Sequence, residues 1–155
     1  MDFDINAATT IRRARGEIAP VMFDPHFMPA WMGGVREVFP LEGEAPTPGA
    51  TFERDISQYF QSRTEVWEVL DYVRETSLVL SGEDATWRFH LEGAPVGTIV
   101  WISAKFSVQG WRRVILLPWL AFRARRAAIR DLRRLKQFIE SAEYLGWGQE
   151  AEESF

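Results

Sequence analysis

The sequence predicts an α+β domain: one curved antiparallel sheet of about seven strands laid on a single long C-terminal helix. Three observations predict it. Six strand-like runs follow Gly34 with only short turns between them, and short turns join antiparallel strands because parallel pairs need long crossovers. An apolar stripe at helical spacing fills the C-terminal part of the chain. Between the first strand and the six runs, Pro20, Pro25 and Pro29 leave room only for short helices.

The elements follow in order. Phe3, Ile5 and Ala7 alternate with Asp2, Asp4 and Asn6, which is the period of a strand. The stretch TIRRARGEIAPVMFDPHFMPAWMGG then reads as two short helices kinked near Asp24–Pro25 and stopped by Gly33–Gly34. GVREVFPLE is a strand that ends in the turn GEAPTPG. ATFERDISQYF alternates, with Phe52, Arg54, Ile56, Gln58 and Phe60 sharing one phase. TEVWEVLDYVR is rich in β-branched and aromatic residues, SLVLSGED closes with Gly82, and TWRFHLEG sets Trp87, Phe89 and Leu91 against Arg88, His90 and Glu92. TIVWISAKFSV reads as a long strand without clean alternation, in which Thr98, Val100, Ile102 and Ala104 share a phase taken as inward. From Trp111 to about Tyr144 a single helix is expected, carrying Ile115, Trp119, Phe122, Ile129, Leu132, Leu135 and Ile139, with Pro118 in its first turns. Gly146 and Gly148 end it. Residues 1–146 are therefore expected to form one domain, and residues 147–155 an acidic tail.

A sheet of this size twists and curves, and wrapped on a helix it leaves a space between them if the short helices prop one edge open. The kinked FDPHFMPAW segment is then best placed as a prop that holds one edge open.

Composition limits the chemistry. The chain has no cysteine, which removes disulfides, zinc–thiolate sites and thiol nucleophiles together. The N-terminus MDFDINAATT lacks a basic region followed by an apolar one, and the longest apolar run, Val114 to Phe122, is too short to span a bilayer. The expectation is a cytoplasmic protein without stable membrane insertion. A net charge of −4 conceals nine basic residues and one acid, Asp131, between Arg112 and Lys136. No nucleic-acid motif accompanies them, so no nucleic-acid partner is expected.

Two histidines on separate elements, without a spaced carboxylate cluster, do not make a metal site. No cofactor is expected. Asp24 and His26 flank Pro25, and the favoured reading is a turn cap beside a solvent-edge histidine rather than an acid–base pair. His90 runs out of phase with Trp87 and Phe89 and is placed on the outer face of the sheet. There is no nucleophile elbow and no phosphate loop. Catalytic residues are left unassigned.

The order of the elements resembles that of the START/Bet v 1-like superfamily, and within it the polyketide cyclase/dehydrase-like (SRPBCC) proteins. The resemblance covers roughly residues 1–143. It rests on the opening strand with its small-residue turn (Ile5 to Thr10), the pair Asp24 and Trp31, and the strand start Gly34–Val35. It continues through Gly97–Thr98, Gly110 before the terminal helix, and the closing LRRLKQFIE (Leu132 to Glu140). The resemblance implies a helix-grip fold with a deep, mostly apolar cavity between sheet and C-terminal helix. Members bind lipids, sterols, polyketides and plant hormones, and some act as cyclases or dehydratases. The superfamily shares no catalytic motif, so none is carried over.

The aromatic content, seven Trp and eleven Phe, suits either a thick core or the walls of a pocket. The resemblance favours the pocket. Its expected lining is Trp31 from the prop, then Phe52, Arg54 and Ile56 from one strand, and Trp67 and Val69 from the next. Trp87 and Phe89, Val100 and Ile102, and, from the helix, Trp119, Phe122 and Ile129 complete it. Arg54 either points outward or serves as a polar anchor for a ligand carboxylate or hydroxyl, because a charged side chain is rarely buried alone.

The leading expectation is therefore binding of a hydrophobic or aromatic small molecule, lipid- or polyketide-like, by a monomer or homodimer. The first alternative is a cyclase/dehydratase-type enzyme using polar groups such as Arg54, Asp71 and Tyr72. The second is peripheral docking of the Arg123, Arg126, Arg130, Arg133 and Arg134 face on anionic lipid or an acidic protein.

Overall fold

The structure, a computed structural model, describes residues 2–58, 61–83 and 85–141. Seven strands form one antiparallel sheet in the order β1-β7-β6-β5-β4-β3-β2. They are β1 (Asp2–Ile11), β2 (Val35–Glu42), β3 (Thr51–Gln58), β4 (Gln61–Val73), β5 (Ser77–Ser81), β6 (Ala85–Ala94) and β7 (Gly97–Ser107). From β2 to β7 each strand pairs with the next in sequence, and β1 closes the far edge by pairing with β7 from Asp2↔Ser107 to Ile11↔Thr98. Because β1 and β2 are opposite edges, the chain between them must cross the sheet. It does so through α1 (Arg15–Met22), a 3₁₀ turn (Pro25–Phe27) and α2 (Met28–Trp31). Asp24 caps that turn by accepting the His26 N–H at 3.0 Å, so the kink lies where the prolines demand it.

β7 turns inward the phase expected to face inward. Thr98, Val100, Ile102 and Ala104 are buried in strict alternation. The alternation is hidden in the sequence because the outward phase also carries large apolar residues, among them Trp101, which is 39% exposed. Burial follows the pleat rather than the hydropathy of each position.

The C-terminal helix corrects an expectation. Instead of one continuous helix there are two, α3 (Trp111–Ile115) and α4 (Leu117–Glu140), with Leu116 between them and Pro118 in the first turn of α4. Proline cannot donate to the preceding turn, which is why it stands at a helix start rather than in a helix interior. The expected extension to Tyr144, the stop at Gly146 and the acidic tail lie outside the described residues, as do Phe60 and the Gln58 side chain.

α4 packs across β1 and meets α2, which in turn rests on β2. Its buried stripe is Ala128, Leu132, Leu135 and Ile139, joined by one charged residue, Asp131. Trp119, Phe122 and Ile129, expected to face inward, do not. They are 52%, 58% and 38% exposed. The helical spacing is right, but the first turns of α4, with Trp119 and Phe122, extend beyond the buried stripe, and Ile129 lies beside that stripe rather than on it.

Candidate functional site

The site begins with one ladder register. Arg54 on β3 stands directly opposite Glu65 on β4, both on the inner face, and both are buried. Arg54 Nη2 donates to Glu65 Oε2 at 3.4 Å, and the Trp67 indole Nε1–H donates to the same oxygen at 3.0 Å. Arg63 holds the other oxygen of Glu65. The guanidinium of Arg54 lies 4.2 Å from the centre of the Trp67 ring, a cation–π contact in a desolvated setting. Its remaining surroundings are soft: Nη1 points to the sulfurs of Met32 at 3.7 Å and Met28 at 4.0 Å. Its Nε is buried without a partner among the described residues. Burial pulls the Arg54 pKa below its ordinary value, and Glu65 opposes that pull.

Trp67 starts a row of rings. It lies 6.4 Å from Trp87, Trp87 meets Phe106 edge-on at 5.7 Å, and Phe106 stacks on Phe3 at 4.9 Å. The row therefore runs across the inner face from β4 through β6 and β7 to β1. Gly82, in the turn before β6, lets Trp67 lie close, since a Cβ there would stand 2.6 Å from the indole.

Opposite the row is α4. Asp131 accepts the Gly33 N–H at 2.9 Å, and Arg134 is 3.7 Å from the same carboxylate oxygen. Between helix and sheet is a recess of about 260 Å³, lined by Arg54, Ile56, Arg63, Glu65, Trp67, Trp87 and Phe106 and roofed by Ala124, Ala127 and Asp131. A wider cleft of about 690 Å³ shares Phe106, Ala124 and Ala127 with it and runs out beneath Leu116, Trp119 and Leu120. One end is charged, the middle is aromatic, and the far end is open.

No family model matches the sequence, and no curated protein matches it significantly. Solved structures do. Ginseng major latex-like protein 151 from Panax ginseng superposes with a TM-score of 0.68 at 12% identity, covering 91% of this chain and 99% of the other. The KanY protein gives 0.73 at 14% identity, covering 91% and 99%. The di-domain ARO/CYC StfQ of the steffimycin biosynthetic pathway gives 0.69 at 14% identity, covering 94% of this chain and 53% of that one. The chain has the START/Bet v 1-like helix-grip fold.

Within this START/Bet v 1-like frame the predicted residues separate into three groups. Arg54, Ile56, Trp67 and Trp87 line the recess. Trp31, Phe52, Val69, Phe89, Val100 and Ile102 are buried in the packed core outside the lining of the recess and the cleft. Trp119 borders the open cleft, whereas Ile129 and Phe122 line shallow grooves beside β1. Asp71 is exposed, and Tyr72 packs edge-on against Phe23, so neither joins Arg54. His26 reaches Asp24 at 2.9 Å, but the histidine is exposed and neither residue lines the recess or the cleft. Among the described residues no cluster of three His, Asp or Glu side chains is placed to hold a metal.

Among the site residues that sequence reasoning misses are Arg63, Glu65, Phe106 and Asp131, and Glu65 and Asp131 each leave a signal. Glu65 shares strand phase with Trp67 and Val69, which marks an acid on an apolar face. Asp131 is the lone acid between Arg112 and Lys136, and it turns inward.

In this START/Bet v 1-like domain burial raises the Asp131 carboxyl to about 6, against the Gly33 hydrogen bond and the nearby arginines that favour the anion. A carboxyl whose pKa is higher folded than unfolded holds its proton more tightly in the folded state. Its contribution is therefore complete below the unfolded value of 3.8 and is lost as pH rises through about 6. The substitution Asp131→Asn keeps an acceptor for Gly33 without the charge. Thermal melts across this range should show the wild type losing ground to Asp131→Asn as pH rises, with the gap constant above neutrality; a flat difference would contradict the assignment.

Proposed function

We propose that the protein binds a hydrophobic or aromatic small molecule in the recess and cleft between the sheet and α4, with a polar group of the ligand held at the Arg54–Glu65 end. The observation that carries this reading is the continuous row Trp67–Trp87–Phe106–Phe3, which ends at a buried arginine with an unpartnered Nε–H. Aromatic walls bind apolar rings and chains, and a few enclosed polar groups fix their orientation. A carbonyl, phenol or carboxylate oxygen would supply the acceptor that Arg54 Nε lacks among the described residues.

One observation favours a catalytic variant of the same reading. Asp131 roofs the recess with its carboxyl raised by burial to about 6, the range in which a carboxyl can take part in acid–base steps on a polyketide-like substrate.

Titration with anilinonaphthalenesulfonate, read by tryptophan quenching, tests the binding. Trp67 and Trp87 line the space, so the expected result is one saturable site per chain with loss of tryptophan emission. Ala127→Phe should fill the shared wall, abolish that site and leave the melting temperature unchanged or higher. If the space is only loose core, the parent will not bind the probe, and Ala127→Phe will lower stability by roughly 1–3 kcal/mol through overpacking. Dye held elsewhere on the surface would survive the substitution and count against the reading.

A further inference from the structure

The segment from Trp111 to Arg130 has an unusual exterior. Trp111 is 70% exposed, Ile115 69%, Leu116 50%, Trp119 52% and Phe122 58%. These are five large apolar side chains on α3 and the first turns of α4, and Gly110, with φ +93°, turns the chain into them. Isolated apolar residues on a surface mean little, but a contiguous set marks a contact site.

The charges around the set all have one sign. Arg112, Arg113, Arg123, Arg125, Arg126 and Arg130 fall in this segment without a single acid, in a chain whose net charge is −4. Three of them are stacked on the exposed rings: Arg112 is 5.4 Å from the centre of Trp111, Arg123 4.8 Å from Trp119 and Arg126 5.6 Å from Phe122. Aromatic rings with guanidinium groups beside them match the layered chemistry of a bilayer interface, where rings sit at headgroup depth and cations meet lipid phosphates.

Position gives the patch a use. Leu116, Trp119, Arg113 and Arg123 border the open cleft, so the patch is the rim of the space described above.

We propose that α3 and the start of α4 dock on the surface of an anionic lipid bilayer, placing the mouth of the cleft against the membrane. No helix among the described residues is long and apolar enough to cross a membrane, and docking requires none. The charge complementarity selects the partner: an anionic lipid surface answers the six arginines, and its acyl boundary accepts the tryptophans. This goes beyond small-molecule binding and stands or falls separately from it.

Vesicle co-sedimentation of the full chain tests the docking. The protein should bind vesicles of equal parts phosphatidylcholine and phosphatidylglycerol at low salt and should not bind phosphatidylcholine alone. High salt should release it, because screening shortens the reach of surface charges. The triple variant Arg112→Gln, Arg113→Gln and Arg126→Gln should lower partitioning by roughly a hundredfold. Trp111→Ser with Trp119→Ser should also weaken binding and remove a blue shift of tryptophan emission on the vesicles. Arg88→Gln, at an exposed arginine on β6, should bind as the parent does. All of these side chains are exposed, so the variants should melt like the parent. Absence of binding to the mixed vesicles would overturn the proposal, as would equal losses in Arg88→Gln and the triple variant. Ala127→Phe should retain vesicle binding while losing the dye, which keeps the two readings distinguishable.

Discussion

Glu65→Ala should destabilise the protein by roughly 3–5 kcal/mol, because it leaves the Arg54 charge buried without its counter-ion. Arg54 is 6% exposed and Glu65 7%, so the charge left behind is largely shielded from solvent. The same substitution removes the acceptor of the Trp67 indole, adding an unsatisfied donor in the same place. The double variant Arg54→Met with Glu65→Leu should recover much of the loss, since a buried ion pair is often no better than well-packed apolar residues. Denaturant melts of the two single variants and the double close the cycle. If Glu65→Ala costs less than about 1 kcal/mol, the pair is solvated and the charged end of the recess is open to water. If the double variant folds well but no longer binds the dye, the pair is kept for the ligand rather than for stability.

Trp31→Ala should cost a similar amount, about 3–5 kcal/mol, through the cavity it leaves. The indole is fully buried and packs against Phe89 at 5.7 Å with the rings tilted by 66°. Its Nε1–H has no hydrogen-bond partner among the described residues, so Trp31→Phe removes an orphaned donor along with some volume and should cost far less. His26→Ala, on the same propping segment, should change stability by less than about 1 kcal/mol, as expected for an exposed residue. The contrast separates a prop from an acid–base site. An unaffected Trp31→Ala beside a strongly impaired His26→Ala would favour the latter.

The periodicities were legible because each element has one buried face, and β1, β6 and the buried stripe of α4 repeat in the sequence with the periods that burial imposes. The prolines at 20, 25 and 29 likewise restricted the crossing segment to short helices. Exposure of Trp119 and Phe122 was not legible. A helical stripe says which residues share a side, and it does not say where along the helix the sheet ends. The six inward residues that pack as core looked no different from Trp67 and Trp87, because walls and filling draw on the same residue types.

The sequence by itself determined the order of the strands, their antiparallel pairing, the presence of a long C-terminal helix, and the buried face of β1, β6 and β7. Those properties follow from local backbone geometry and hydropathy, both of which act over a few residues. Tertiary structure alone decided which buried groups meet across the fold. Arg54 and Glu65 become partners through strand register, Asp131 joins Gly33 across 98 positions of sequence, and the space between α4 and the aromatic row depends on how far the sheet curves from the helix. Register and curvature are set by the packing of the whole core, so no short stretch of residues contains them.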